Sequence, residues 1–155
     1  MATVIRGDDN FDSANAGKVL QIVSTTSQTS TNGNTSFANI TGATVTITPS
    51  STSSKVLVTF STGGMSNGTS DTISLRILRG STNIRTITRY GYGASSGWSS
   101  CPIVLNFLDS PNTTSATTYQ LQLYTQTNND FRVNDDQATA DGIAGLVSTA
   151  TEIGG

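Results

Sequence analysis

Short runs in which a branched or aromatic side chain alternates with a hydroxyl or amide constrain the fold of this chain more than any other feature. Residues 44–48 read Thr-Val-Thr-Ile-Thr, and residues 119–124 read Tyr-Gln-Leu-Gln-Leu-Tyr. Because successive side chains of a β-strand point to opposite faces, this alternation gives each run one apolar and one polar face. Each run therefore predicts a strand that covers one side of a core.

Clusters of Gly, Pro, Asn, Asp and Ser separate eight or nine such runs. The pairs Gly63-Gly64 and Asn67-Gly68 together are expected to end one strand, Arg79-Gly80 to form a tight turn, and Gly145 to kink the last strand. Short strands at this spacing are typical of a sandwich or barrel, and the lack of a fixed repeat argues against a β-helix or propeller. The predicted fold is an all-β, antiparallel, jelly-roll-like (Greek-key) sandwich of about eight strands. The predicted strands are 19–23, 44–48, 55–60, 73–77, 84–89, 103–108, 119–124, 131–133 and 143–153.

The composition supports strands and opposes helices. Thr and Ser contribute 27 and 21 residues, whereas Lys contributes two and Glu one. Branched Cβ atoms suit a pleated strand, and good helix formers are scarce. Charged residues make up 12% of the chain, against about 25% in an ordinary soluble domain, so hydroxyls and amides must solvate most of the surface.

The first 16 residues differ from the rest. They place Arg6 and three Asp residues around the apolar Val4, Ile5 and Phe11. We interpret residues 1–16 as an extended N-terminal arm, held by those apolar side chains or by a partner, and residues 17–155 as a single sandwich domain. Val4, Ile5, Arg6 and Phe11 are the candidate docking residues of the arm.

Catalytic chemistry has little support in these residues. The chain contains no His, which removes Ser-His-Asp and Cys-His nucleophile systems and the commonest zinc ligand, and it contains no phosphate-binding Gly motif. A glycosidase needs two carboxylates, one of raised pKa, yet Glu152 is the only Glu and most Asp residues lie in turn sequences. We therefore expect no enzyme activity, no catalytic residues, no cofactor and no metal.

Nucleic acid and membranes are also unexpected partners. The sequence pI is about 4.7 and the Arg residues are scattered, whereas anionic partners require a concentrated basic face. We find neither a signal peptide nor an apolar run near 18 residues, so membrane insertion is not expected. These features fit a protein that is made and assembled in a cytoplasm.

Two loop sequences have alternative interpretations. The oxygen-rich cluster of residues 128–130 and 134–136 could bind calcium, but it lacks the EF-hand spacing, and turn formation explains it more simply. Tyr90, Tyr92 and Trp98, in a Gly/Ser-rich stretch expected to be a loop, form the best candidate ligand-binding site, because aromatic faces stack on sugar rings. The alternative, which we favour, is that Trp98 packs over one end of the sandwich or at a subunit interface.

Four segments of the chain resemble small β-domains of tailed-bacteriophage virion proteins. They are residues 17–21 (Gly-Lys-Val-Leu-Gln), 47–58, 107–114 (Phe-Leu-Asp-Ser-Pro-Asn-Thr-Thr) and 148–153. Domains of this family recur in tail-fibre-like and other particle-surface proteins of phages of aquatic bacteria. The resemblance extends over residues 17–153; it implies a virion location and commonly a trimeric jelly roll, and it supplies no catalytic residues.

The resulting expectation is a non-enzymatic structural protein on the exterior of a phage particle, assembled in the host bacterial cytoplasm. Because the chain is short and lacks a repetitive shaft, it suits a capsid decoration or cement protein, or a small fibre or knob. Its expected partners are two further copies of itself, in a homotrimer, and other virion proteins of the capsid or tail. The alternative function is a carbohydrate-binding module of a tail fibre that recognises host-surface glycans.

Overall fold

The computed structural model describes residues 16–66, 71–93, 99–127, 131–135 and 145–155. Within these ranges every regular element is a β-strand, and no helix is present that could cross a membrane. The strands are β1 (Val19–Ser27), β2 (Thr31–Asn32), β3 (Ala38–Ile47), β4 (Lys55–Ser66), β5 (Asp71–Arg79), β6 (Thr82–Gly93), β7 (Ser99–Asp109), β8 (Thr117–Thr125), β9 (Phe131–Val133) and β10 (Leu146–Ile153).

The strands form two antiparallel sheets. Sheet I has the order β1-β10-β4-β7, and the short β2 and β9 continue the lines of β1 and β10 along it. Sheet II has the order β3-β8-β5-β6. Taken in sequence, the eight long strands are distributed between the sheets in the jelly-roll pattern. The predicted fold class is thereby confirmed; the arm of residues 1–16 lies almost wholly outside the described residues.

The inward faces of the two sheets form one apolar core. Phe60 from sheet I and Leu75, Tyr119 and Leu121 from sheet II are fully buried. The alternation is preserved in β3, where Ile47 is buried and Thr46 points outward to bond with the hydroxyl of a neighbouring strand. Each fully buried apolar side chain contributes roughly 1.5–3 kcal/mol, so this shared face holds the sheets together.

The sandwich has two ends, which we call the near end and the far end. The near end holds both termini of the described domain, since the amide of Gly17 donates to the carbonyl of Gly154 and the amide of Gly154 donates to that of Lys18, both at 2.8 Å. At the far end β4 finishes beside the start of β7, with Ser66 paired to Ser99. The strand ends that border the segments 67–70, 94–98 and 128–130 also lie at the far end, whereas β9 ends and β10 begins part-way along β4, where Val133 pairs with Gly64 and Val147 with Ser61.

Two of the predicted loops are wrong. β4 ends at Ser66, just before Asn67-Gly68, but the pair Gly63-Gly64 lies within it. Gly64 suits this position because a Cβ there would clash with the Phe131 ring, which fills the space that a side chain would need. The expected loop of residues 90–100 is much shorter, since β6 extends to Gly93 and β7 begins at Ser99. Gly80 does take a left-handed conformation at the predicted turn, whereas Gly145, also left-handed, precedes β10 instead of kinking it.

Candidate functional site

Two buried carboxylates face the core at the near end and are the first candidates for chemistry. The register pairs Val56 of β4 with Glu152 of β10 on one side and with Asp109 of β7 on the other. Two strand spacings separate the carboxylates, or roughly 10 Å between backbones. A glycosidase needs one carboxyl group of raised pKa beside an ionised one, so the state of each group decides what the pair can do.

Three hydrogen-bond donors keep Glu152 in its carboxylate form. It is fully buried and accepts hydrogen bonds from the Gln21 amide at 2.6 Å and from the backbone N–H and the hydroxyl of Ser50 at 2.7 Å each. Burial alone would raise the pKa of Glu152, but these hydrogen bonds outweigh it and lower the pKa to about 2. A general acid needs the opposite shift, so this carboxylate instead ties the β3–β4 turn to sheet I.

Asp109 is likewise taken up by structural contacts. Arg79 of sheet II reaches both of its carboxylate oxygens, at 3.1 and 3.0 Å, and the Tyr119 hydroxyl donates to one of them at 2.7 Å. Burial and this hydrogen bond raise the pKa of Tyr119, so the phenol stays protonated as the donor. Because Asp109 belongs to sheet I and its two partners to sheet II, the cluster clamps the sheets together.

A shallow, open depression of about 420 Å³ lies beside this clamp, between Arg79, Pro111 and Thr118. It offers no free charge, since the Arg79 guanidinium is paired with Asp109. Among the described residues no three Cys, Asp or Glu side chains gather as metal ligands would.

The aromatic candidates are separated by the structure. Tyr90 lies in β6 at the seam between the sheets, where its hydroxyl accepts from the Val104 amide at 2.9 Å. β7 is an edge strand, so this hydrogen bond occupies a backbone group that would otherwise be exposed. Tyr92 is also in β6, opposite Thr72 at the far end, and Trp98 lies outside the described residues. Sugar binding by this group stays a prediction.

The remaining sequence candidates lie mainly outside the described ranges. This holds for Val4, Ile5, Arg6 and Phe11 of the arm and for four of the six residues proposed as calcium ligands. Of the other two, Asn134 is buried and its amide donates to the carbonyls of Ser27 and Thr29, at 3.0 and 3.3 Å. Asp135 pairs with Arg132 at 3.3 Å.

The outer face of sheet I was not identified from the sequence, yet its exposed residues differ from those of sheet II in polarity and charge. All five large apolar side chains that are exposed among the described residues lie on this sheet. Three rows cross it in register without one charged residue, whereas β5 and β6 of sheet II together contain four Arg. The rows are Ile22-Thr151-Leu57-Leu108, Ser24-Thr149-Thr59-Asn106 and Thr26-Val147-Ser61-Val104.

No protein-family model matches the chain. No curated protein matches it in sequence either.

Solved structures from infectious bursal disease virus match the fold. They include T=1 particles derived from that virus (TM-score 0.50, 13% identity), a mutant VP2 protein in T=1 particles (0.49, 12%) and a VP2 subviral particle (0.48, 13%). Each match covers 99% of this chain, but the chain spans only 36–38% of those proteins. At this identity the likeness shows a shared β-sandwich fold, and the phage family suggested by the sequence stays a prediction.

Proposed function

We propose that this chain is a non-enzymatic structural protein on the exterior of a bacteriophage particle, acting as a capsid decoration or cement protein or as a small fibre or knob. The observation that carries the proposal is the two-ended layout of the sandwich. Residue 16, where the arm joins the domain, lies at the near end, whereas the strand ends that border three connecting segments lie at the far end. An arm that docks on the particle would therefore leave the far end facing solvent.

Three further observations support a structural role. The two buried carboxylates, Glu152 and Asp109, are occupied by hydrogen bonds that hold the sandwich together. Three rows on the outer face of sheet I carry hydroxyls and apolar groups, which lose less on desolvation than charged groups do. The fold is shared with proteins of a virus particle. Such a chain would assemble in the host bacterial cytoplasm as a homotrimer and reside in the virion.

Deleting the arm tests the docking step. A chain of residues 16–155 should fold, because it contains every core residue that the structure describes, but should fail to join particles produced by a phage that lacks the full-length protein. A matched control is the full chain carrying Thr88→Asp, a charge placed at an exposed position on sheet II, which should join them normally. Normal incorporation of the arm-deleted chain would remove the proposal.

A second function, recognition of host-surface glycans, is favoured by the position of the β6–β7 connection. This connection, which contains Trp98 and follows Tyr92, joins two strands at the far end, opposite the end at which residue 16 lies. Both functions can belong to one protein. Trp98→Ala should abolish binding on a glycan array while Trp98→Phe, which keeps an aromatic face, should retain it; identical profiles for the two variants would count against glycan recognition.

A further inference from the structure

Exposed apolar residues on sheet I gather at its two opposite edges. We define the β7 patch as Val104 and Leu108, which are 51% and 49% exposed, and the β1 patch as Val19 and Ile22, which are 59% and 63% exposed. In a monomeric domain, single exposed apolar residues are ordinary, but paired ones on both edges of one sheet are not needed for the fold.

The two patches share the same side of the molecule. Register places Ile22, Thr151, Leu57 and Leu108 in one row across the outer face, so Ile22 and Leu108 point the same way. Three strand spacings, or roughly 14 Å, separate the outer strands. Between them, β10 and β4 contribute mostly hydroxyls, with Val147 at 37% exposed as the largest exposed apolar group.

The charge of this face indicates what can cover it. The three rows carry no charge, so a charged partner surface would have to bury its ions here without counter-ions, which is expensive. The same three rows of another copy bring no charge to bury. The exposed Lys55, in register through Ile153 with Val19, lies at one end of the rows and the Arg132–Asp135 pair at the other, as a polar rim.

The size of the face limits what each contact can bury. Four strands side by side are roughly 19 Å wide, and the 12 residues of β4 are roughly 41 Å long. The face therefore measures about 780 Å² in plan. Two contacts, one at each edge, would share this area at about 390 Å² apiece, which is at the low end for specific interfaces, so such contacts gain from closing into a ring in which each copy is held twice.

We propose that copies of this chain associate through the outer face of sheet I, with the β7 patch of one copy packed against the β1 patch of the next. Because the two patches are different surfaces, the contact is head-to-tail; such contacts close into a ring where the rotation between copies closes and extend into a filament where it does not. In a ring of three, each copy contacts one neighbour through its β7 patch and the other through its β1 patch. Every apolar patch is then covered. The inference rests on the self-association in the proposed function and identifies the surface that carries it.

Single charges on each patch test the surface, measured by sedimentation velocity of the full chain at micromolar concentration. The wild-type protein should sediment as three chains, while Leu108→Arg and Ile22→Arg should each sediment as one chain of 16.1 kDa. The matched control Thr88→Arg places the same charge at an exposed position on sheet II and should stay at three chains. Far-UV circular dichroism checks that each variant keeps its strands, and Leu108→Ser and Ile22→Ser provide milder versions that should weaken association at least tenfold.

Mixing the two charged variants tests the pairing of the patches. Leu108→Arg keeps an intact β1 patch and Ile22→Arg an intact β7 patch, so an equal mixture should form a two-chain species that neither forms alone. A mixture that stays at one chain would overturn the β7-to-β1 contact, and so would a chain of residues 16–155 that no longer associates.

The outcomes also separate this inference from the function on which it rests. A wild-type protein that sediments as a single chain would remove the self-association itself. A wild-type oligomer that survives both Leu108→Arg and Ile22→Arg would leave the self-association standing and overturn the surface proposed here.

Discussion

Replacing Glu152 with Gln should remove a large and pH-dependent part of the stability of the sandwich. The pKa of Glu152 is 4.5 for the free side chain and about 2 in the folded domain. Since one pKa unit corresponds to about 1.4 kcal/mol, the folded environment favours the carboxylate by roughly 3 kcal/mol. In the variant the new amide presents its own N–H groups to donors from Gln21 and Ser50, so we expect a loss of roughly 3 kcal/mol at pH 7.

The pH dependence follows from the direction of the shift. A group whose pKa is lowered by folding stabilises the domain fully above its unfolded pKa, here 4.5, and loses that contribution as the pH falls to its folded pKa, here about 2. The free energies of unfolding of wild type and Glu152→Gln should therefore differ most above pH 5 and converge near pH 2.

Urea unfolding followed by circular dichroism at pH 7, 5, 4, 3 and 2 measures both effects. Gln21→Ala, which removes one of the donors, should give an intermediate pH dependence. Asp135→Asn provides a matched control, because its partly exposed ion pair with Arg132 should contribute less than about 1 kcal/mol. The reasoning would be refuted if the free energy of unfolding of Glu152→Gln lay within 1 kcal/mol of the wild-type value at pH 7, or if it changed with pH in the same way.

Three other substitutions test the packing. Tyr119→Phe removes the 2.7 Å hydrogen bond to Asp109 and should cost about 1.5–3 kcal/mol in urea unfolding; an unchanged stability would show that the clamp does not depend on it. Gly64→Ala should destabilise the domain by about 1–3 kcal/mol, because the new methyl meets the Phe131 ring, and Phe131→Leu in the same chain should recover part of the loss. Tyr90→Phe should speed hydrogen exchange of the Val104 amide, whose partner is the lost hydroxyl; an equally protected amide would count against the seam described above.

Most of the strands could be predicted because local alternation carries the information. Residues 44–47 form the end of β3, and only Thr48 of the predicted run lies beyond it. Its buried residues, Val45 and Ile47, are those that a period of two predicts. The jelly-roll order was predicted only as a class, since strand pairing depends on contacts between residues far apart in the chain. The two-residue β2 escaped prediction because its pairing with β9 leaves no periodic signal.

The wrong predictions also arise from contacts between residues that are far apart in the chain. Glycine pairs usually break strands, but Gly64 is needed within β4 because Phe131, far along the chain, lies directly over it. The position of Glu152 beside Val56, two strands from Asp109, could not be foreseen either, because only the register of β10 brings it there. Nor could the three uncharged rows on sheet I, which are formed by outward residues of four strands that are scattered through the sequence.

A reconstruction of the intact phage particle by electron cryo-microscopy tests the central claim most directly. The account predicts jelly-roll density on the outside of the particle, with the near end and residue 16 toward the underlying virion protein and the far end toward solvent. Particles whose outer surface lacks this density, or in which the far end contacts the particle, would contradict it.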